Sequence, residues 1–133
     1  MLRTQTPLSN ELEALIHDVI GCCITVHRAT GPGLVEKIYL RATRRELQYT
    51  GIPFESEKTI PVMYRDQVLC HQKLDVVVKG QLILEIKAVE RLNPVHRAQV
   101  ICYLKISRLP VALLINFNVP VLKDGLERIV STQ

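Results

Sequence analysis

The feature that most constrains this chain is a pair of strand-like stretches meeting at Lys79-Gly80. Leu74, Val76, Val78, Leu82, Leu84, Ile86 and Ala88 alternate along them with polar or less apolar partners. Such a pattern suits a hairpin with one face in a core, because side chains alternate along a strand. The loop length then decides which polar residues meet. A two-residue loop at Lys79-Gly80 would pair Asp75 with Leu84 and send Glu85 and Lys87 to the opposite face. A three-residue loop, Val78-Lys79-Gly80, pairs Asp75 with Ile83 and makes Glu85 a diagonal neighbour on the same face. That loop type wants a left-handed residue in its third place, so Gly80 is expected at positive φ. With this register His71, Lys73, Asp75, Glu85 and Lys87 share the polar face.

Two carboxylates and a lysine gathered on one hairpin make a minimal site for a divalent metal and a water. Mg²⁺ takes oxygen ligands in an octahedron and keeps several waters. Asp75, Glu85 and a backbone carbonyl would fill half of that shell and leave room for water and a phosphate oxygen. Such a site suits phosphodiester hydrolysis. Lys87, two residues beyond Glu85, could orient the attacking water or offset charge in the transition state. The competing reading is an exposed sheet face with an ordinary salt bridge.

The chain has 133 residues, enough for one domain with a real core, and 47% are hydrophobic, which argues against general disorder. One domain over 1–133 is therefore expected. No apolar run is long enough to span a bilayer, and the first residues lack the apolar core of a signal peptide, so a cytoplasmic location is the expectation. The net charge of +4 is compatible with a polyanionic partner. Cys22, Cys23, Cys70 and Cys102 form no zinc-like spacing. Cys22, Cys23 and Cys102 lie in helical apolar sequence and are expected as buried or half-buried free thiols.

Asn10 with Glu13 resembles a capping box, and Leu12, Leu15, Ile16, Val19, Ile20 and Cys23 continue at helical spacing, which predicts a helix over about 10–27. A second helix is expected over about 34–48, after the break at Thr30-Gly31-Pro32-Gly33. Its Lys37, Arg41, Arg44 and Arg45 form a basic stripe, either a solvated face or a phosphate-facing one. Strands are expected over about 54–64, 68–78 and 81–89. Asn93-Pro94 opens a third helix ending near Ser107-Arg108, followed by an apolar interior strand Val111–Asn116 and an edge strand Leu126–Val130. The order predicts a mixed α/β sheet flanked by helices.

Two further motifs bear on function. In Gly33-x-x-Glu36-x-x-Tyr39, Glu36 and Tyr39 lie on adjoining parts of one helical face, although a glutamate in a first turn can simply complement the helix dipole. His96, Gln99 and Tyr103 lie on one face of the third helix, where Gln99 and Tyr103 could bond a phosphate, a base or each other. His17, His27, His71 and His96 form no metalloprotease pair, and Gly31-Pro32-Gly33 lacks the Gly-Lys-Ser/Thr of a phosphate-cradling loop. His71 could touch substrate from the Asp75 face.

Together these motifs resemble the GxxExxY proteins, a family within the PD-(D/E)xK nuclease superfamily. Thr30-Gly31-Pro32-Gly33-Leu34, Leu84-Glu85-Ile86-Lys87-Ala88-Val89 and Leu114-Ile115-Asn116-Phe117-Asn118 are also similar to that family, and the resemblance covers about 11–130. It implies a restriction-endonuclease-like αβββαβ core with an extra N-terminal helix and a metal, Mg²⁺ or Mn²⁺, at the sheet edge. Asp75 and Glu85 would be metal ligands, Lys87 the catalytic lysine and Glu36 an accessory acid. Gln99 and Tyr103 match the Gln-x-x-x-Tyr motif of RecB-like exonucleases in the same superfamily and would support substrate or site. One departure is visible: Leu74, not proline, precedes Asp75. The expected activity is metal-dependent hydrolysis of nucleic acid, with DNA the favoured partner and no membrane. The alternative is a non-catalytic nucleic-acid-binding or assembly module on the same fold. A homodimer or larger complex could supply substrate selection.

Overall fold

A computed structural model describes residues 8–132. The first helix, α1 (Asn10–Thr30), buries Leu12, Leu15, Ile16, Val19, Cys23 and Val26, spaced by three and four residues. Its cap is Ser9, not the expected Asn10: extended backbone at Ser9 lets its hydroxyl accept the Leu12 N–H at 3.1 Å. The helix runs one turn past His27 and stops at Gly31, whose φ of +66° ends the repeat. Helix α2 (Glu36–Thr50) begins two residues later than expected, since the Leu34 N–H is spent on the Tyr39 hydroxyl rather than on a helical turn. Strands β1 (Phe54–Tyr64), β2 (Gln67–Val78) and β3 (Leu82–Lys87) follow. Then come α3 (Pro94–Ser107), β4 (Val111–Asn116), a single 3₁₀ turn and β5 (Leu126–Val130). Asn93 caps α3 by accepting the Val95 and His96 N–H groups, with Pro94 in the first turn, as the sequence predicts.

The five strands form one sheet in the order β1-β2-β3-β4-β5, with β3 and β4 parallel and the other neighbours antiparallel. Helices α1 and α2 cover one face, packing on Val76, Val78, Leu84 and Leu113. Helix α3 covers the other, where Val100 and Leu104 meet Val77, Ile83 and Leu114. Every residue of β4 is buried because helices cover both of its faces. The expected αβββαβ core is therefore present as α2-β1-β2-β3-α3-β4, with α1 in front and β5 behind. Among the described residues, no helix is long and apolar enough to cross a membrane.

The hairpin has a three-residue loop, shifted by one residue from the expected one. Val78 stays in the sheet opposite both Phe54 and Leu82, so the loop is Lys79-Gly80-Gln81. Gly80 has the expected positive φ, +63°, and Lys79 joins it at +50°. The pairs Val76↔Leu84, Val77↔Ile83 and Val78↔Leu82 extend to set Asp75 opposite Glu85 rather than Ile83. The two registers differ by two residues, so the predicted alternation of faces survives around the loop.

The alternation breaks at Asp75. Ser56↔Val76 and Lys58↔Leu74 are paired, but Glu57 between them has φ +51° and no registered partner. This irregularity turns the strands by one face. Leu74, expected beside Val76 and Val78, packs instead with Val77 and Ile83 under α3. The register is the same on both sides of this unpaired position, so a local turn of the strands and not an inserted residue re-aims the side chains; the one register shift in this pair of strands lies at Val62/Met63.

The cysteines divide two and two. Cys22 and Cys23 are buried as expected, whereas Cys70 is exposed. Cys102 is also exposed, contrary to expectation, because Val100, Tyr103 and Leu104 take the buried face of α3. Burial, with Cys22 beside it, pushes the Cys23 thiol up to about 12. A disulfide reagent is expected to titrate Cys70 and Cys102 quickly and the α1 pair only upon unfolding. Four fast thiols in the native protein would contradict this packing.

Candidate active site

The ladder between β2 and β3 ends at Val76 and Leu84, and beyond it the two carboxylates take over the backbone donors. Asp75 Oδ2 accepts the Ile86 N–H at 2.9 Å, and Glu85 Oε1 accepts the Asp75 N–H at 3.2 Å. This reciprocal clasp fixes both acids without another side chain. It also brings two like charges together where water is scarce, with Glu85 only 4% exposed. Burial pushes the Glu85 carboxyl up to about 8, Asp75 adds to that, and the Asp75 N–H and Lys87 pull the other way.

Lys87 follows on β3, half-buried, and its Nζ donates to Gln99 Oε1 at 3.4 Å. One turn further along α3, Tyr103 is buried against the same acids. Burial, then Glu85, Asp75 and Cys102, push its hydroxyl up to about 12, and a hydrogen bond with Gln72 opposes them. His96 completes this face of α3. Its Nδ1 accepts the Asn93 N–H at 3.2 Å, so the neutral ring carries its proton on Nε2.

Glu36 opens α2 and is exposed. Partial desolvation raises its carboxyl above the usual range, Lys87 and His96 lower it, and Asp75 raises it, which places Glu36 within the field of all three. Its position is set by Tyr39, which is fully buried and stacks on Phe117 with ring centroids 4.8 Å apart. The Tyr39 hydroxyl donates to the Gly31 carbonyl at 2.6 Å and accepts the Leu34 N–H at 3.1 Å. Gly33, at φ +105°, supplies the sharp turn between them. Its N–H donates to Asn118 Oδ1 at 3.2 Å, and Asn118 Nδ2 donates to the Val89 carbonyl at 3.3 Å. Asn116 clamps Val89 through both its N–H and its carbonyl, at 3.0 and 2.9 Å. The chain leaving Lys87 and the loop entering at Glu36 are thus tied to one support.

The structure therefore brings Glu36, Asp75, Glu85, Lys87, Gln99 and Tyr103 into one neighbourhood at the edge of the sheet. Gln72 and His96 join them. Gln72 gave no signal in the sequence, because it reaches Tyr103 only through the turn at Asp75; His96 was marked by its spacing from Gln99 and Tyr103. Tyr39 does not reach the acids and serves the loop. His71 is exposed on β2. In the basic stripe, Lys37, Arg41 and Arg45 are exposed, while Arg44 is half-buried with Nη2 3.6 Å from Glu57.

Two adjacent hard oxygen donors, one held above its ordinary pKa by burial and by the other's charge, fit a divalent cation that would neutralise both. Among the described residues no group of three or more His, Cys, Asp or Glu is gathered to hold an ion by itself. Asp75 and Glu85 could therefore fill only part of a shell and leave the rest to water and substrate, as Mg²⁺ prefers.

Compared with known proteins, residues 13–129 match the model of the PD-(D/E)XK nuclease superfamily. A search of the curated proteins finds no match. The matched span contains the whole αβββαβ core and every acid of the cluster, and the chain belongs to the PD-(D/E)XK nuclease superfamily, whose members act on nucleic acid and generally use divalent metal ions.

Proposed function

We propose that this chain hydrolyses phosphodiester bonds in DNA with Mg²⁺ or Mn²⁺ held by Asp75 and Glu85. The observation that carries this reading is the Asp75–Glu85 clasp with Lys87 beside it on the same strand. When bound, the cation supplies polarisation of the phosphoryl group and acidification of water. Lys87, steadied by Gln99, orients the water that attacks phosphorus in line and offsets charge as the P–O bond to the leaving oxygen breaks. Tyr103 keeps its proton throughout the neutral range and can donate to a phosphate oxygen. Glu36, which feels the charges of Lys87 and Asp75, acts as an accessory acid.

We also assign the chain to the GxxExxY group. Each named residue of the motif has separate work: Gly33 makes the turn, Tyr39 fixes it and Glu36 faces the site. Exposed reduced thiols at Cys70 and Cys102 suit a reducing compartment such as the cytoplasm. We also propose a single domain over 1–133, a reading supported by one five-stranded sheet among the described residues.

The test is incubation of the purified protein with linear, circular, single-stranded and branched DNA in Mn²⁺, beside Asp75→Asn. The native protein is expected to cut and the variant to lose at least ~10³-fold, about 4 kcal/mol of transition-state stabilisation, with its circular dichroism unchanged. Equal cutting by both would remove Asp75 from the site. Salt-dependent binding without cutting, indifferent to metal, would favour the non-catalytic binding module.

A further inference from the structure

Past the turn at Asp75, β1 and β2 leave the rest of the sheet. Only Val76, Val77 and Val78 of β2 are registered with β3, yet pairing with β1 continues from Lys58↔Leu74 to Tyr64↔Gln67. The hairpin becomes a two-stranded arm, and at ~3.3 Å per residue its tip stands roughly 25–30 Å from Asp75. Glu57 fixes the arm at its root, lying 3.6 Å from Arg44 of α2 and 3.9 Å from Lys73.

The tip has a composition that stability alone does not explain. Met63, Tyr64, Val68 and Leu69 are 52, 60, 51 and 61% exposed. A lone hairpin is marginal in water, and these side chains pack on no core. Arg65 stands between the strands with its guanidinium 5.7 Å from the centre of the Tyr64 ring. At the root Lys58 lies 3.3 Å from Glu55 and Lys73 lies 3.9 Å from Glu57, so Arg65 is the cation presented at the tip, with Asp66 beside it. The root of this ribbon is the Asp75–Glu85 cluster itself.

We propose that the arm grips double-helical DNA, lying in the major groove beside the strand whose phosphate is held at Asp75 and Glu85. The inference rests on the reading of that cluster as a nuclease centre and adds the class of substrate, a B-form duplex. The major groove of B-DNA, about 12 Å wide, admits a two-stranded ribbon. Exposed apolar side chains there meet thymine methyl groups, and an arginine meets guanine or a phosphate. The deep, narrow major groove of A-form RNA cannot be entered in this way. A second copy of the chain is a poorer occupant, because each chain carries a net charge of +4 and meets like charge in the other. DNA carries the complementary sign.

The test is anisotropy of a short labelled DNA duplex in EDTA, so that no cutting intervenes, over a series of salt concentrations. Against the native protein, Tyr64→Ser/Arg65→Ser is expected to bind about tenfold or more weakly, with a salt slope smaller by about 0.9 for the one cation removed. Arg65→Glu is expected to weaken binding further in low salt, and duplex RNA of the same sequence to bind the native protein poorly. Both substitutions lie on exposed positions, and unchanged thermal midpoints confirm intact folds. Equal binding of duplex DNA by native and variant proteins would overturn the grip. So would a native dimer in sedimentation that the double variant loses, since the arm would then join two copies. Arm-dependent binding by a protein that cuts nothing in Mn²⁺ would keep the grip and remove the nuclease reading; cutting with arm-independent binding would remove the grip alone.

Discussion

Glu85→Gln is expected to abolish metal-dependent cleavage and to stabilise the metal-free protein in the same step. The Glu85 carboxyl titrates near 4.5 when unfolded and near 8 when folded, raised by burial and by Asp75. A carboxyl raised by folding stabilises the fold while it is protonated. Its contribution is complete below the unfolded value and is lost as pH rises through the folded one. The metal-free native protein should therefore lose stability between about pH 4.5 and pH 8. Each tenfold gain in proton affinity on folding corresponds to about 1.4 kcal/mol. Glutamine removes the titration, keeps an oxygen for the Asp75 N–H and offers its amide to the Asp75 carboxylate. In EDTA near pH 9 the variant should be at least ~2 kcal/mol more stable than the native protein, and its thermal midpoint should fall less than the native one between about pH 4.5 and pH 8. Added Mg²⁺ should raise the native midpoint, since a ligand bound only by the folded state stabilises it, and should leave the variant where it was. A variant less stable than the native protein in alkaline EDTA would show that Glu85 is not under electrostatic strain.

That strain was partly legible in the sequence. Alternation around Lys79-Gly80 put Asp75, Glu85 and Lys87 on one side even with the loop misplaced, because a shift of two residues preserves the parity of a strand. The end strands and α3 were readable for local reasons: Asn93 and Pro94 start the helix, and unbroken apolar residues mark β4 as an interior strand. What was not legible lies at the irregular pair Glu57 and Asp75. No glycine or proline marks the turn there, and Leu74 fits either face by character. The turn decides the aim of Asp75, the contact between Gln72 and Tyr103 and the departure of the arm, so all three depended on tertiary structure. The cap of α1 was a choice between two competent neighbours, Ser9 and Asn10, settled by backbone angles. Cys102 was misplaced because α3 has apolar residues on more than one side, and Ile101 is also exposed.

Tyr39→Phe should slow cleavage while leaving metal binding intact. The phenyl ring keeps its stack on Phe117, interplanar angle 16°, so the core loses no volume. Only the hydroxyl goes, and with it the bonds to Gly31 and Leu34 that close the turn before Glu36. Losing two such partners is expected to cost ~1–3 kcal/mol of stability, against ~3–5 for Tyr39→Ala; the larger loss, taken from a total of about 5–15, would blur every other readout. With the turn loosened, the start of α2 that carries Glu36 is held less firmly, and kcat should fall about tenfold, ~1.4 kcal/mol of barrier. Asp75 and Glu85 are held by backbone bonds on β2 and β3 and should bind Mn²⁺ as before. A double-mutant cycle separates positioning from general damage. If Tyr39 acts through Glu36, adding Tyr39→Phe to Glu36→Gln should slow cleavage no further than Glu36→Gln alone. Fully additive losses would mean that the hydroxyl supports the site by another route, and a parallel drop in Mn²⁺ affinity would locate that route in the clamp of Asn116 and Asn118 on Val89.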